Sequence, residues 1–347
     1  MECEIHFSII MKRIICILLL FLILAPYGYA DLTVHFLDVG QGDAILIQCD
    51  NEAMLIDGGP NSASQYVYSY LQQHVDSLDC IVATHPDADH IGGVAAALNA
   101  VPVEVIFSPV EEWDTAVFED VVKYAELQGT PIIIPYEGDV FALGGADITI
   151  LHCWPEAWSS NDMSICLRLD YGYTSFVFTG DAESMSEYMM IDSGMQLHAD
   201  VLKVGHHGSA SSSTPEFIDA VNPTYAVISC GIDNSYGHPH PSTLEVLSGI
   251  NVLRTDELGT IVMQSNGQTI TVTSQSTQSE QSQSEVEMNT NISVSSDAVY
   301  IGNRNSMKFH YPDCASVEKM SPKNRVPLSS REEAIELGYQ PCGQCQP

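Results

Sequence analysis

Short apolar runs alternate with polar turns and helix-like stretches along residues 31–273. The runs are short, rich in branched side chains and bounded by turn residues, which predicts strands. They read VHFLDV, AILIQC, AMLIDGG, LDCIVAT, VEVIF, PIIIP, ITILH, ICLRLDY, TSFVFTG, ADVLKVG, YAVISC and GTIVMQ. Apolar positions at helical spacing predict helices at 65–75 and near 90–99, 116–128, 183–190 and 242–249. This mixture predicts one layered α/β domain.

The composition changes after residue 273. Residues 274–297 are Ser, Gln and Glu with few apolar side chains, which predicts a disordered linker. Residues 298–347 resume a folded pattern, in which Ser330 and Glu333 form a capping box and Gly338 ends a short helix. We therefore expect a second, small α+β domain at the C-terminal end.

The first thirty residues have the composition of a secretory signal peptide. Lys12 and Arg13 precede an apolar run to Ala25, and small residues around Ala30 provide a cleavage site. An uncleaved membrane anchor is the alternative, although the run is short for a spanning helix. We expect a secreted or extracytoplasmic protein, held at the membrane if the segment is not removed.

The charge of the chain is uneven. Residues 31–273 carry 34 acidic and four basic side chains, a formal net charge of −30, whereas residues 298–347 carry six basic and five acidic, net +1. Such an acidic body repels a polyanion unless divalent cations are bound, although the same charge also keeps an exported protein soluble. Non-specific nucleic-acid binding without metal is therefore not expected.

The segment THPDADHIGG concentrates metal-binding side chains directly after a predicted strand. His85, Asp87, Asp89 and His90 fall within six positions, and the glycines that follow allow a helix to start close by. Imidazole and carboxylate together suit zinc, manganese or iron. This spacing predicts a metal site.

Two further predicted strands end in the same chemistry. Asp181 follows FVFTG, and His206 and His207 follow VLKVG. Either feature alone has a structural explanation, because Gly-Asp is a common turn and a histidine pair is often structural. Together they predict a binuclear metal site.

These motifs, with FLDVGQGDA, LIDGG, NDMS and NSYGHPHP in order, resemble the metallo-β-lactamase-fold domain of the ComEC competence proteins. The resemblance covers nearly all of residues 31–273 and implies an αββα sandwich with the metal site between the edges of two sheets. The membrane-embedded part of that family has no counterpart in the sequence, so we expect a free-standing exported relative.

The resemblance also implies a ligand set. His85 and Asp87 would bind one metal, Asp89 and His90 the other, and Asp181 would bridge them; His206 would complete the second metal, with His207 adjoining. The wider fold usually has histidine at Asp87, and oxygen ligands shift the preference from zinc towards manganese or magnesium. We expect two divalent ions, manganese or zinc.

The expected reaction is two-metal hydrolysis of a phosphodiester such as DNA or a nucleotide, with a bridging hydroxide as nucleophile. Asp89 and Asp181 would serve catalysis through the metals, and His207 or His238 would protonate the leaving oxygen. Asp38, Asp43 and Asp57 are expected to shape turns and site geometry. A hydrolase of another ester class and a non-catalytic surface binding module remain alternatives, and the oligomeric state is open.

The C-terminal segment offers a second metal site. His310, Cys314, Cys342 and Cys345 form two close pairs suited to tetrahedral zinc, whereas export makes a disulfide the alternative. Residues 300–347 resemble the zinc-binding domain of the Ada methylphosphotriester repair protein, in which all four ligands are cysteines. Histidine at position 310 lacks the thiolate that methyl transfer needs, so we expect a structural zinc and a surface for nucleic acid or the cell envelope.

Overall fold

The computed structural model describes residues 32–275, 300–303, 306–312, 314–320, 324–328, 330–336 and 339–345. The predicted signal peptide, 1–30, lies outside these residues, and so does the predicted linker, 274–297, apart from its first two positions. The chain divides into two compact units at residue 280. Among the described residues, no helix has the length and hydropathy needed to cross a bilayer.

The first unit contains an eight-stranded sheet. Its strands are β1 (Leu32–Phe36), β2 (Ile45–Cys49), β3 (Glu52–Ile56), β4 (Leu78–Val82), β5 (Val103–Phe107), β6 (Ile132–Ile133), β14 (Ile261–Ser265) and β15 (Ile270–Ser274). They lie in the order β15-β14-β1-β2-β3-β4-β5-β6, and pairing from β3 to β6 is parallel. The carboxyl ends of β3 and β4 therefore lie at the same edge.

The second sheet of this unit has seven strands. They are β7 (Val140–Leu143), β8 (Ala146–His152), β9 (Cys166–Tyr171), β10 (Thr174–Phe178), β11 (Val201–Lys203), β12 (Tyr225–Ile228) and β13 (Asn251–Arg254). Their order is β13-β12-β11-β10-β9-β8-β7, and β10 to β13 pair in parallel. The carboxyl ends of β10, β11 and β12 thus share one edge as well.

Helices cover the outer face of each sheet. They are α1 (Ser64–His74), α2 (Ala88–Ile91), α3 (Val94–Ala100), α4 (Ala116–Gln128), α5 (Ser184–Ser193), α6 (Pro215–Val221), α7 (Pro241–Val246) and α8 (Thr255–Leu258). Alternation along each strand divides the side chains between layers: Ile45 and Ile47 face the other sheet, whereas Leu46 packs with Leu71 and Phe118 of the helices. The predicted αββα sandwich is confirmed.

The sheets are joined by a shared apolar core. Phe36 of the first sheet and Phe178 of the second stack with ring centroids 6.2 Å apart, and the surrounding residues are fully buried. Another apolar core lies between the second sheet and its helices, where Leu202 and Ile228 pack against Phe217. Burial on both faces fixes each sheet firmly, which allows loops at the strand ends to hold side chains in place.

The paired glycines of the HPDADHIGG motif divide the helix predicted near 90–99 into α2 and α3. A Cβ atom at Gly92 would lie 2.3 Å from the backbone nitrogen of Asn61, and one at Gly93 would lie 2.0 Å from the carbonyl oxygen of Gly58. Only glycine permits this approach. The loop after β3 is thereby held against the metal-binding motif.

The second unit is a small α+β fold. Its elements are β16 (Tyr300–Asn303), β17 (Lys308–His310), α9 (Ala315–Glu318), β18 (Arg325–Leu328), α10 (Arg331–Glu336) and β19 (Gln340–Pro341), with strand order β18-β16-β17-β19. Phe309, Leu328, Ala334 and Tyr339 form one small core. Cys314, Val317, Met320 and Cys342 form another, so the cysteines are part of the packing.

His35 of β1 provides a test of the packing. It is 6% exposed, and its ring nitrogens lie 2.8 Å from the Tyr70 hydroxyl and 3.0 Å from Gln48 Oε1. Burial, assisted by the charge of neighbouring His74, lowers the pKa of His35 to about 4. The folded state therefore binds this proton less readily than the unfolded state, whose value is near 6.5.

We predict that the free energy of unfolding falls by about 2 kcal/mol between pH 7 and pH 5 because of His35 alone. Replacing His35 with Gln should remove this part of the pH dependence. Urea unfolding of both proteins at the two pH values measures it, since other groups cancel in the difference. If the free energy of unfolding changes equally in the two proteins between pH 7 and pH 5, the prediction is contradicted.

Candidate metal centre

Side chains from both sheets meet at one edge of the sandwich. His85 follows β4 and His90 lies on α2, whereas Asp181 follows β10 and His207 follows β11. His90 Nε2 is 3.2 Å from Asp181 Oδ1, so the two sheets come into direct contact through these residues. The convergence arises because parallel strands deliver their carboxyl ends to the same edge.

Four buried side chains form the centre of this cluster. Asp43, His90, Asp181 and His207 each place a nitrogen or oxygen atom within 4.8 Å of the others. The Nε2 atoms of His90 and His207 are 3.3 Å apart, and Asp181 Oδ2 is 3.5 Å from His207 Nε2. Imidazole nitrogens and carboxylate oxygens at this density form a donor set for a divalent cation.

The remaining residues of the HPDADH motif surround this centre. The rings of His85 and His90 are 4.1 Å apart, and His85 Nε2 is 3.7 Å from Asp87 Oδ2. Asp89 Oδ2 is 3.5 Å from His207 Nε2. Asp87 is therefore next to His85, and Asp89 is next to His207.

The two histidines after β11 occupy different surroundings. His206 Nε2 is 3.7 Å from Asp181 Oδ2, and its Nδ1 is 3.3 Å from Glu183. His207 is fully buried and contacts Asp89, His90 and Asp181 together. Both have left-handed backbone conformations, with φ of 48° and 55°, which are unusual for residues with a Cβ atom and typical of functional turns.

Three histidines are fixed through Nδ1. Nδ1 of His90 donates to Asp57 Oδ2 at 2.7 Å, and Nδ1 of His207 donates to the carbonyl oxygen of Ser229 at 2.9 Å. Nδ1 of His85 lies 3.0 Å from Thr84 Oγ1, which itself donates to Asp57. Hydrogen bonds at Nδ1 leave Nε2 as the lone-pair atom of a neutral ring, as in metal-ligating histidines.

Several atoms of the centre have no hydrogen-bond partner among the described residues. They are His85 Nε2, Asp43 Oδ1 and Asp181 Oδ1, all of which are inaccessible to solvent. Asp181 Oδ1 lies 3.2 Å from His90 Nε2 without hydrogen-bond geometry, and Asp43 Oδ1 lies on the Nδ1 side of His207. Buried polar atoms are seldom unpaired, because desolvation without a partner costs about 1–3 kcal/mol. Divalent cations fit His85 Nε2 and Asp181 Oδ1, since they would bind the lone pairs of these atoms.

In the metal-free protein, protons compensate the carboxylates. Burial opposes charge on His90, but Asp181 and Asp57 outweigh it and raise its pKa well above the usual value. The same balance, with Asp181 as the strongest anion, raises the pKa of His207 to about 9. The pKa of Asp181 is held well below normal by His207 and His90 despite burial. A bound cation would replace these protons.

A buried lysine supports the centre from beneath. Lys203 is 1% exposed, and its Nζ lies 2.7 Å from Asp43 Oδ2 and donates to the carbonyl oxygen of Val204. Asp43 Oδ1 is in turn 3.4 Å from His207 Nδ1. Sequence reasoning missed Lys203 and Glu183; a lysine inside the apolar run VLKVG was the available signal for the first.

His238 lies on the loop after β12, beside the metal centre. Its ring centroid is 5.6 Å from that of His206 and 6.3 Å from that of His207. Burial and these two neighbours lower the pKa of His238. Its Nδ1 is inaccessible to solvent and has no hydrogen-bond partner among the described residues.

The predicted second site also assembles. His310, Cys314, Cys342 and Cys345 place their ligand atoms within 4.8 Å of one another. The eight cysteines of the described residues are free thiols. The backbone N–H groups of Cys345 and Gln344 lower the pKa of the Cys342 thiol, and that of Gln344 donates to its Sγ. Four converging ligand atoms of this kind suit a tetrahedral metal site.

Comparison with known families agrees with this geometry. The model of the metallo-beta-lactamase superfamily matches residues 37–232, more than half of the chain. The protein therefore belongs to the metallo-β-lactamase superfamily, whose members are generally metal-dependent hydrolases, and the predicted family is confirmed at this level.

Two curated relatives each cover more than two thirds of this chain. ComE operon protein 3 of Bacillus subtilis is 32% identical over 270 residues, covering 72% of this chain and 35% of the relative. Competence protein ComA of Neisseria gonorrhoeae is 32% identical over 242 residues, covering 68% of this chain and 32% of the relative. The chain thus spans about a third of the length of these homologues.

One solved structure is similar to part of this chain. The metallo-beta-lactamase fold protein YhfI of Bacillus subtilis superposes with a TM-score of 0.48 at 16% identity, covering 68% of this chain and all of that one.

We predict that Lys203→Met destabilises the protein by about 3–5 kcal/mol, because it leaves the Asp43 carboxylate buried without its cation. The matched control is Lys123→Met, which removes an exposed lysine 3.6 Å from Asp120 and should cost less than about 1 kcal/mol. Urea unfolding in a metal chelator measures both. Equal losses in the free energy of unfolding would contradict the prediction, because the buried ion pair would then stabilise the protein no more than the exposed one.

Proposed function

We propose that the protein is an exported phosphodiesterase that holds two divalent cations at this edge and hydrolyses DNA or a nucleotide. The observation that carries the proposal is that buried His85 Nε2 and Asp181 Oδ1 have no hydrogen-bond partner among the described residues, within one cluster of imidazoles and carboxylates. Export rests on the composition of residues 1–30 alone.

The contacts suggest how the ligands divide between two cations. We assign His85 and Asp87 to one cation because their side chains are adjacent. We assign Asp89, His90 and His207 to the other, and place Asp181 between the two. His207 takes the position that the family resemblance gives to His206, because only His207 contacts Asp89, His90 and Asp181 together.

The residues around the ligands have distinct roles in this proposal. Asp43 and Lys203 orient His207 from the far side of its ring, where Nδ1 lies. Glu183 and Ser211 hold His206 at the rim. The Ser160 hydroxyl donates to the Asp87 carboxylate at 3.1 Å and holds it in place. Asp87 offers an oxygen ligand where the wider fold usually has a histidine nitrogen, so it favours manganese or magnesium over zinc.

Bound divalent cations would supply a water-derived nucleophile at neutral pH and offset negative charge on the phosphoryl group. The carboxylates of Asp89 and Asp181 would offset the positive charge of the cations that they bind. His207 is occupied at both ring nitrogens by its carbonyl partner and the ligand cluster. His238 is therefore the residue that we assign to proton transfer with the leaving oxygen.

The choice of DNA rests on the homologues. One of them is named as a competence protein, and competence is the uptake of DNA. The strong negative charge of residues 31–273 favours the second candidate, a hydrolase of a smaller or uncharged ester. Direct comparison of substrates separates these functions from a binding module without turnover.

We expect manganese-dependent hydrolysis of single-stranded DNA and of a small phosphodiester, and a loss of about a hundredfold or more in kcat for Asp181→Asn, since the substitution removes a central carboxylate. The control is Asp192→Asn, an exposed aspartate on α5, which should behave as wild type. Hydrolysis of carboxylic esters alone would favour the second candidate, and metal binding without turnover of any ester would favour a binding protein.

We propose that the C-terminal unit holds one structural zinc and offers a surface to DNA or the cell envelope. Cys342→Ser with Cys345→Ser should remove one zinc per chain, measured by metal analysis, and should leave kcat on a small phosphodiester unchanged. A rise in KM on DNA alone would support a DNA-binding role for this unit. Unchanged zinc content, or a disulfide found by mass spectrometry, would contradict the zinc assignment.

A further inference from the structure

Residues 32–275 offer few positive charges to a nucleic-acid backbone. Their four basic side chains are each paired with a carboxylate: Lys123 with Asp120, Arg168 with Asp170, Lys203 with Asp43, and Arg254 with Asp256. Phosphate contacts by lysine and arginine normally supply most of the affinity for polynucleotides. A DNA substrate of this unit therefore needs another kind of contact near the metal centre.

A series of aromatic rings leads from the metal centre to the surface. The ring centroids of His90 and His207 are 5.2 Å apart, and those of His207 and His238 are 6.3 Å apart. The ring of Tyr236 stacks on His238 at 5.7 Å with an interplanar angle of 24°. Tyr236 is 69% exposed, so the outermost ring of the series presents aromatic surface to solvent next to the proton-transfer residue.

A second exposed aromatic side chain lies on a different loop, whose next residues contact the centre. Trp158 is 100% exposed, although a tryptophan gains most from burial. It lies two residues before Ser160, whose hydroxyl donates to Asp87 Oδ2, and three before Asn161, which donates to Glu183. The loop of Trp158 therefore contacts the centre at Asp87, whereas Tyr236 stacks on His238, next to His207.

We propose that Tyr236 and Trp158 stack on nucleobases that flank the scissile phosphate of a single-stranded polynucleotide. The inference rests on the proposed phosphodiesterase function and specifies its substrate. Stacking on aromatic rings does not need positive charge, which suits the acidic surface, and it needs base faces that a duplex conceals. The substrate is held by its bases and by the metal centre.

The test compares substrates that differ only in their bases. KM and kcat are measured with manganese on a single-stranded oligodeoxynucleotide, on a stable abasic oligomer with the same number of phosphates, and on a hairpin duplex. The wild-type protein should have its lowest KM on the base-bearing single strand. Tyr236→Ala and Trp158→Ala should each raise the KM on this substrate by about tenfold or more. They should leave kcat, and both constants on the abasic oligomer, little changed. Tyr236→Phe should retain most of the affinity.

The matched control is Tyr173→Ala. Tyr173 is 84% exposed and immediately precedes β10, so it lies at the end of that strand opposite to Asp181. It should leave KM unchanged on all three substrates. Thermal melting and metal content of each variant distinguish lost stacking from misfolding.

Two results would overturn the inference. Equal KM values of wild type on the base-bearing and abasic oligomers would show that bases are not contacted. A fall in kcat on every substrate in Tyr236→Ala would show that this ring only supports His238. If wild type hydrolyses no phosphodiester, the proposed function fails, and fluorescence anisotropy of the same oligomers decides the stacking separately: a preference for bases that Tyr236→Ala abolishes supports it, and equal binding rejects it.

Discussion

One buried imidazole, that of His90, connects the two sheets of the sandwich. His90 donates through Nδ1 to Asp57 at the end of β3, and its Nε2 faces Asp181 at the end of β10. The carboxylates thus come from different sheets, and neither they nor the imidazole reaches solvent. Because an unpaired charge in such a position is costly, the charges must be balanced by protons or cations. The sheet packing, the histidine orientation and the metal affinity all depend on this arrangement.

Charge has a different role in the centre and on the surface. Within the centre, Lys203 compensates Asp43 and the histidines compensate Asp181. On the surface, the excess of carboxylates discourages contact with phosphates, so recognition of a polynucleotide would depend on cations and on aromatic rings. Within residues 32–275, a nucleic-acid substrate would thus depend on contacts that do not use lysine or arginine.

Much of the fold was predictable because strands buried on both faces are recognisable as apolar runs. The exceptions were weakly apolar segments: in β7, β13 and β15 every side chain except the last of β7 and of β15 is exposed or half-buried. Helix α6 was missed although Thr214 and Pro215 form a regular N-terminus. The helix predicted near 90–99 was wrong as a single element, since the close contacts of Gly92 and Gly93 with residues 58–61 are tertiary.

The sequence by itself determined the chemistry: which residues can bind metal, that they follow strands, and that the last fifty residues form a separate unit with four zinc-type ligands. These properties are local, because spacing and residue type define them. Only the tertiary structure decided that His207 lies among Asp89, His90 and Asp181 while His206 lies beside Glu183. Adjacent residues in a left-handed turn direct their rings differently, and the side chains that surround each ring come from strands distant in sequence.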